Sequence, residues 1–113
     1  MHESSLARRI LDLALERALA ADATRLVRVT GWVAETESLS ANSLALHFGL
    51  AARGTLAEGA RLDIRTERVA ARCSACGTSY EPEHHVLVCP CCAASGAELL
   101  GRTGFGVESI EVE

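Results

Sequence analysis

The sequence lacks any apolar run near the ~18 residues a membrane-spanning helix needs, so no span is expected. It lacks a signal-peptide shape, because the stretch from Ser4 to Ala20 carries charges throughout. It lacks a basic stripe: its 11 basic residues are scattered among 15 acidic ones, for a formal net charge of −4. A nucleic-acid surface usually gathers positive charge on one face. It lacks a GxSxG elbow, a phosphate loop and an HExxH pair, so it is not read as an enzyme. It does not lack core material. Its 49% apolar share is ordinary for a globular protein and argues against disorder. A chain of 113 residues is one domain, or one small domain plus a metal-held module.

What is present begins with cysteine. Cys73 and Cys76 form one CxxC, and Cys89 and Cys92 form a second, with residues 77–88 between them. Two such pairs bring four thiolates to the corners of a tetrahedron, as in a closed structural zinc site. Gly77 suits the tight turn after the first pair. The segment around them is too short to bury its own core, so metal would supply its folding energy. Pairing Cys89 with Cys91 would leave one residue between ligands, so Cys92 is taken as the ligand and Cys91 as a spare thiol. A redox dithiol would want a thioredoxin-like pattern that is not seen, two disulfides would need an oxidising compartment, and four thiolates could also hold iron. Free thiols without an export signal point to the cytoplasm. His84 and His85 lie inside this module, either in a solvated loop or close enough to the metal to make it pH-sensitive.

The rest reads as α+β: a small mixed sheet backed by two helices, with an inserted four-cysteine zinc-ribbon-like module. Ser4 or Ser5 caps a first helix whose apolar face carries Leu6, Ile10, Leu13 and Ala14. Residues 25–33 alternate as a strand, and residues 34–39 make a polar connection. Ser40 caps a second helix that runs to about Arg53, with Leu44, Phe48 and Ala51 on one face and Gly54 after it. His47 falls within it. Residues 61–69 and 106–113 read as further strands. The boundaries are 1–69 plus 104–113 for the helix-backed lobe and 70–103 for the module.

The other end of the chain offers a different donor set. His2 is too bulky for efficient removal of Met1, so the α-amine of Met1 stays beside the His2 imidazole. That amine has a pKa of about 7.7–8.0, and a metal can displace its proton near neutrality. The amine and the His2 amide nitrogen close a five-membered chelate ring. The amide nitrogen and the imidazole close a six-membered one, and the Glu3 amide nitrogen completes a plane of four nitrogens. Such a set favours Ni²⁺ or Cu²⁺ over Zn²⁺, with the Glu3 carboxylate as a possible axial ligand.

Both ends together resemble the HypA/HybF family of nickel metallochaperones. The resemblance rests on Met1-His2-Glu3-Ser4-Ser5-Leu6, Gly54-Thr55, Ala57-Glu58-Gly59-Ala60, Cys73-Ser74-Ala75-Cys76-Gly77, Cys89-Pro90-Cys91-Cys92 and Ser109-Ile110-Glu111-Val112-Glu113. It implies Ni²⁺ as cargo on Met1, His2 and Glu3, structural Zn²⁺ on Cys73, Cys76, Cys89 and Cys92, and a role in nickel-iron hydrogenase maturation. It also implies the HypB GTPase and the hydrogenase large-subunit precursor as partners of a monomer or homodimer. Departures from the family pattern include Trp32, Ala41, Cys91, Ala93 and the 104–106 stretch. The competing expectation is a zinc-ribbon interaction module that binds nucleic acid. It is opposed by Glu81, Glu83 and Glu98 set against only Arg72, Arg102 and Tyr80 around the ribbon.

Overall fold

The computed structural model describes residues 3–34, 40–82 and 87–113. Most of the expected polar connection, and both His84 and His85, lie outside them. Helix α1 spans Glu3–Ala20. Its buried stripe is Leu6, Ala7, Ile10, Leu11, Ala14 and Ala18, the i, i+4 spacing of one helix face. Two expectations need correction. Ser4 and Ser5 lie inside the first turn and do not cap it, because the helix already begins at Glu3. Leu13 is 40% exposed, because it falls about 100° round the helix from the centre of the stripe.

Strand β1 (Leu26–Ala34) is the centre of a three-stranded sheet, between β2 (Arg61–Glu67) and β6 (Phe105–Val112). Helix α2 (Ala41–Ala51) crosses back to β2 (Arg61–Glu67), which pairs with β1 in parallel. The Ser40 side chain accepts the Ser43 N–H at 3.1 Å, so α2 starts where its cap predicts. It ends at Ala51, two residues short of the expected end. Strand β6 (Phe105–Val112) closes the sheet antiparallel to β1. Ala34 belongs to β1, not to the connection, and its N–H donates to the Gly104 carbonyl at 2.7 Å.

Both helices lie on one face of this sheet. Phe48 and Leu44 of α2 join Leu6, Ile10 and Leu11 of α1 over Leu26, Val29 and Val33. Leu26 and Val29 share that face although their parity differs. The β1–β6 register shifts between Leu26 and Arg28, so Val27 is an extra residue that flips the alternation. A second shift, between Thr30 and Gly31, returns the β1–β6 register to its first offset through an extra residue on β6.

Between β2 and β6 the chain leaves the sheet and builds a second one. Strands β3 (Ala70–Cys73), β4 (Ser79–Tyr80) and β5 (Ala97–Leu100) pair antiparallel in the order β4-β3-β5. The molecule measures 55 × 22 × 16 Å with a Cα radius of gyration of 17.2 Å. A single globule of this length would show about 13 Å, so the cysteine module projects from the sheet. Helix α1 begins at that same end. The Arg9 guanidinium lies 5.0 Å from the Phe105 ring centroid, where β6 enters the sheet. The far end of α1 turns into Thr24, whose N–H donates to the Glu113 carbonyl.

The charged side chains of β1, β2 and β6 form ion pairs. Arg28 holds Asp63 at 2.6 Å, and Arg65 reaches both Glu67 and Glu108. The Arg102 and Arg65 guanidinium groups hold the Glu67 carboxyl down to about 2 from its ordinary 4.5. Since its folded pKa is depressed, its stabilising effect is present above pH 4.5 and is lost as pH falls toward 2. We expect Glu67→Gln to be less stable than the parent at pH 7, with the gap closing between pH 4.5 and 2. Denaturant titrations at pH 7, 4 and 2.5 check this; a pH-independent gap would show that the carboxylate charge is not what matters.

Candidate metal centre

Each CxxC makes the same turn. Cys73 ends β3; its N–H donates to the Thr78 carbonyl at 2.9 Å, and its carbonyl accepts the Gly77 N–H at 3.0 Å. In the second pair the Cys89 N–H donates to the Ala94 carbonyl, and the Cys89 carbonyl accepts the Ala93 N–H, both at 2.9 Å. Backbone N–H groups also point at sulfur. Those of Ala75 and Cys76 lie 3.4 and 3.5 Å from Cys73 Sγ, and that of Cys91 lies 3.4 Å from Cys89 Sγ. Such N–H donors stabilise a thiolate.

The two turns face each other. The sulfurs of Cys73, Cys76, Cys89 and Cys92 all lie within 4.8 Å of one another. Cys73 and Cys92 approach to 3.5 Å, and Cys76 and Cys89 to 3.6 Å. Four sulfurs each ~2.3 Å from a central Zn²⁺ would be ~3.8 Å apart at the corners of a tetrahedron. The donor set and its spacing therefore fit zinc. Cys73 and Cys89 are buried, while Cys76 and Cys92 are exposed. Cys91 is exposed and outside the group, since its N–H and not its thiol faces the cluster.

Four thiols this close cannot all ionise alone. The Thr78 hydroxyl, 3.1 Å from Cys76 Sγ, and the Thr78 N–H hold the Cys76 thiol down to about 6. The N–H groups of Cys76 and Ala75 lower Cys73 as well. Cys92 goes the other way. The Ala94 N–H pulls it down, but Cys73, burial and the remaining sulfurs outweigh that and raise it to about 12. A divalent cation removes this conflict by compensating the negative charge at the centre.

Two features here go beyond the four ligands. The Tyr80 hydroxyl is buried and has no hydrogen-bond partner among the described residues. Burial, and then the charges of Cys89, Cys73 and Cys92, push its pKa up. The only sequence signal was its place a few residues after the first knuckle. The second feature is Ala93, which holds φ +62 where the first knuckle has Gly77 at φ +78. A left-handed conformation costs an L-residue roughly 1–2 kcal/mol, and glycine's extra freedom in the unfolded chain offsets part of that. Ala93→Gly should therefore tighten metal retention by about 1 kcal/mol, or about fivefold, and Gly77→Ala should weaken it comparably. Chelator competition measures both; equal retention in all three proteins would mean the turn conformation is not limiting.

At the other proposed site, Glu3 is the first residue of α1, at the module end of the sheet. Met1 and His2 lie outside the described residues, as do His84 and His85. His47 is half-buried on α2 and stands apart from the four-sulfur group.

A helix-backed sheet that carries a four-thiol metal-binding module between two of its strands defines a small metal-handling protein. A family model described as "Hydrogenase/urease nickel incorporation, metallochaperone, hypA" matches residues 1–112. A hydrogenase maturation factor HypA from Caldanaerobacter subterraneus is 31% identical over 115 residues, spanning 100% of both chains. One from Chlorobium limicola is 35% identical over 113 residues, covering 100% of this chain and 97% of its own. The chain belongs to the HypA family of nickel-incorporation metallochaperones. The fold agrees. The solution structure of the Ni metallochaperone HypA from Helicobacter pylori superposes with a TM-score of 0.67 at 24% identity, covering 99% of this chain and 97% of that one.

Proposed function

We propose that this chain carries Ni²⁺ as cargo at its N-terminus and delivers it during nickel-iron hydrogenase maturation, with zinc as the resident structural metal. The observation that carries the reading is the match of the nickel-incorporation family over residues 1–112. The helix geometry supports it. Glu3 opens α1, and the first N–H groups of a helix have no intrahelical acceptor. The Glu3 amide nitrogen can therefore serve as a ligand without breaking a helical hydrogen bond. The Met1 amine, the two amide nitrogens of His2 and Glu3, and the His2 imidazole complete the plane. Two deprotonated amides balance the metal's charge, so the positive end of the α1 dipole does not repel the loaded site.

In this reading residues 1–69 with 104–113 form the nickel-binding lobe, and residues 70–103 form the zinc module on Cys73, Cys76, Cys89 and Cys92. The protein works in the cytoplasm with the HypB GTPase and the hydrogenase large-subunit precursor. Its chemistry is ligand exchange at an open-edged square plane, not catalysis. Calorimetric titration of Ni²⁺ into tag-free, zinc-loaded protein tests the site. The expected result is about one Ni²⁺ per chain for the parent and none for His2→Ala. Equal weak binding by both would overturn the N-terminal site.

A further inference from the structure

The two helices cover one face of the β2-β1-β6 sheet. On the other face Trp32 lies over Gly106, so closely that a Cβ at Gly106 would sit well inside 3.0 Å of the indole ring. Trp32, Ala34 and Val69 form a small buried cluster separate from the helix-side core. Arg102 stacks on it, with its guanidinium carbon 3.9 Å from the Trp32 ring centroid. The same guanidinium grips Glu67, with Nε 2.8 Å from one carboxylate oxygen and a second N–H on the other. Arg65 also donates to that carboxylate at 3.0 Å, on the oxygen that takes the second Arg102 N–H.

The chain positions of these residues give the cluster its meaning. Glu67 ends β2 and Val69 precedes β3, so both lie where the chain enters the cysteine module. Arg102 and Gly104 lie between β5 and β6, where it leaves. Entry and exit thus meet on one indole ring of the central strand. The Arg68–Glu81 pair at 2.9 Å adds a tie from the entry into the module. Without such ties two single-chain crossings would swivel, above all at the exit, where Gly101 (φ +102) and Gly104 (φ +83) leave the backbone free.

We propose that Trp32, Arg102 and Glu67 form a clasp that fixes the orientation of the four-cysteine module on the helix-backed sheet. A planar guanidinium suits the task because it stacks on an indole and forks onto a carboxylate at once, which an ammonium cannot do. Since α1 begins at the module end of the sheet, the clasp also fixes the position of Glu3, its first residue, relative to the sulfur group. The proposal rests on the fold and is independent of which metal either site takes.

The test is residual dipolar coupling on the zinc-loaded protein, comparing the parent with Arg102→Ala, Arg102→Lys and Glu67→Gln. The parent should fit one alignment tensor across both sheets. Arg102→Ala should need two, with reduced order in the module, and hydrogen exchange at the Ala34 amide should rise roughly tenfold, the combined size of one exposed cation–π contact and one forked ion pair. Arg102→Lys should fall between them. Trp32 is the sole tryptophan, so its emission should shift in the same order. A parent that already needs two tensors overturns the proposal. So does an Arg102→Ala protein that keeps one tensor and parental exchange. Should Arg102→Ala lose zinc, Glu67→Gln decides by the same two readouts.

Discussion

Removing metal under reducing conditions is expected to unfold residues 70–101 while the helix-backed sheet stays folded. The module has little else to hold it. Its strands run four, two and four residues, and its fully buried side chains among the described residues are Ala71, Cys73 and Cys89. One alanine supplies roughly 1 kcal/mol of apolar burial, against a backbone ordering cost of roughly 1 kcal/mol for every residue fixed. A structural zinc supplies about 10–16 kcal/mol in isolated finger peptides, enough to reverse that balance. The lobe is different, because Leu6, Ile10, Leu11, Leu26, Leu44 and Phe48 are all buried there without help from the module. Heteronuclear NMR during chelation should show amides of the module collapsing to random-coil shifts while Val29, Val33 and Phe48 stay dispersed. Cys73→Ser should do the same without chelator, because Cys73 takes the closest sulfur contact and two of the sulfur-directed N–H groups. A module that keeps its shifts in both experiments would mean that its fold does not depend on metal.

The parts legible in the sequence were those set by local spacing. Ser40 marked the start of α2 because a cap acts within three residues. The two CxxC pairs marked the four-sulfur group because each turn is closed by its own backbone. The parts that were not legible depend on register between distant strands. Nothing near Leu26 announces that Val27 bulges; the bulge exists because β6, some eighty residues later, pairs with an offset. Leu13 looked like core because its spacing allowed it, and only the placement of α2 decided which side of α1 was covered. Trp32 and the 104–106 stretch stood out as departures from the family, but their partnership requires β1 and β6 to lie side by side. The proposed nickel ligands Met1, His2 and Glu3 rest on donor chemistry at the start of the sequence, and of the three only Glu3, the first residue of α1, lies among the described residues.

The same register argument makes Gly31→Ala the most damaging small substitution expected in the lobe. Gly31 sits on the central strand opposite Ile64 on one side and Val107 on the other, where the β6 offset returns to zero. A Cβ there would fall far inside 3.0 Å of the Gly106 carbonyl oxygen, with Ile64 Cδ1 at 3.2 Å and the Gly106 carbonyl carbon at 3.3 Å. Backbone in a paired strand cannot move aside without breaking its ladder, so the cost should reach about 3 kcal/mol or more. For a domain of this size that is a fall in Tm of roughly 10–20 °C. Two other glycines calibrate the result. At Gly106 the obstacle is the Trp32 ring, a side chain, so Gly106→Ala should cost less and shift the Trp32 emission. At Gly49, inside α2, nothing lies within 4 Å of the added methyl, and the change should stabilise by up to about 1 kcal/mol through helix propensity. Thermal melts of the three variants should therefore rank Gly49→Ala above the parent, Gly106→Ala below it, and Gly31→Ala lowest. If Gly31→Ala proves no worse than Gly106→Ala, then β1 and β6 are not held in close register there, and the tight backbone contact at the second bulge is wrong.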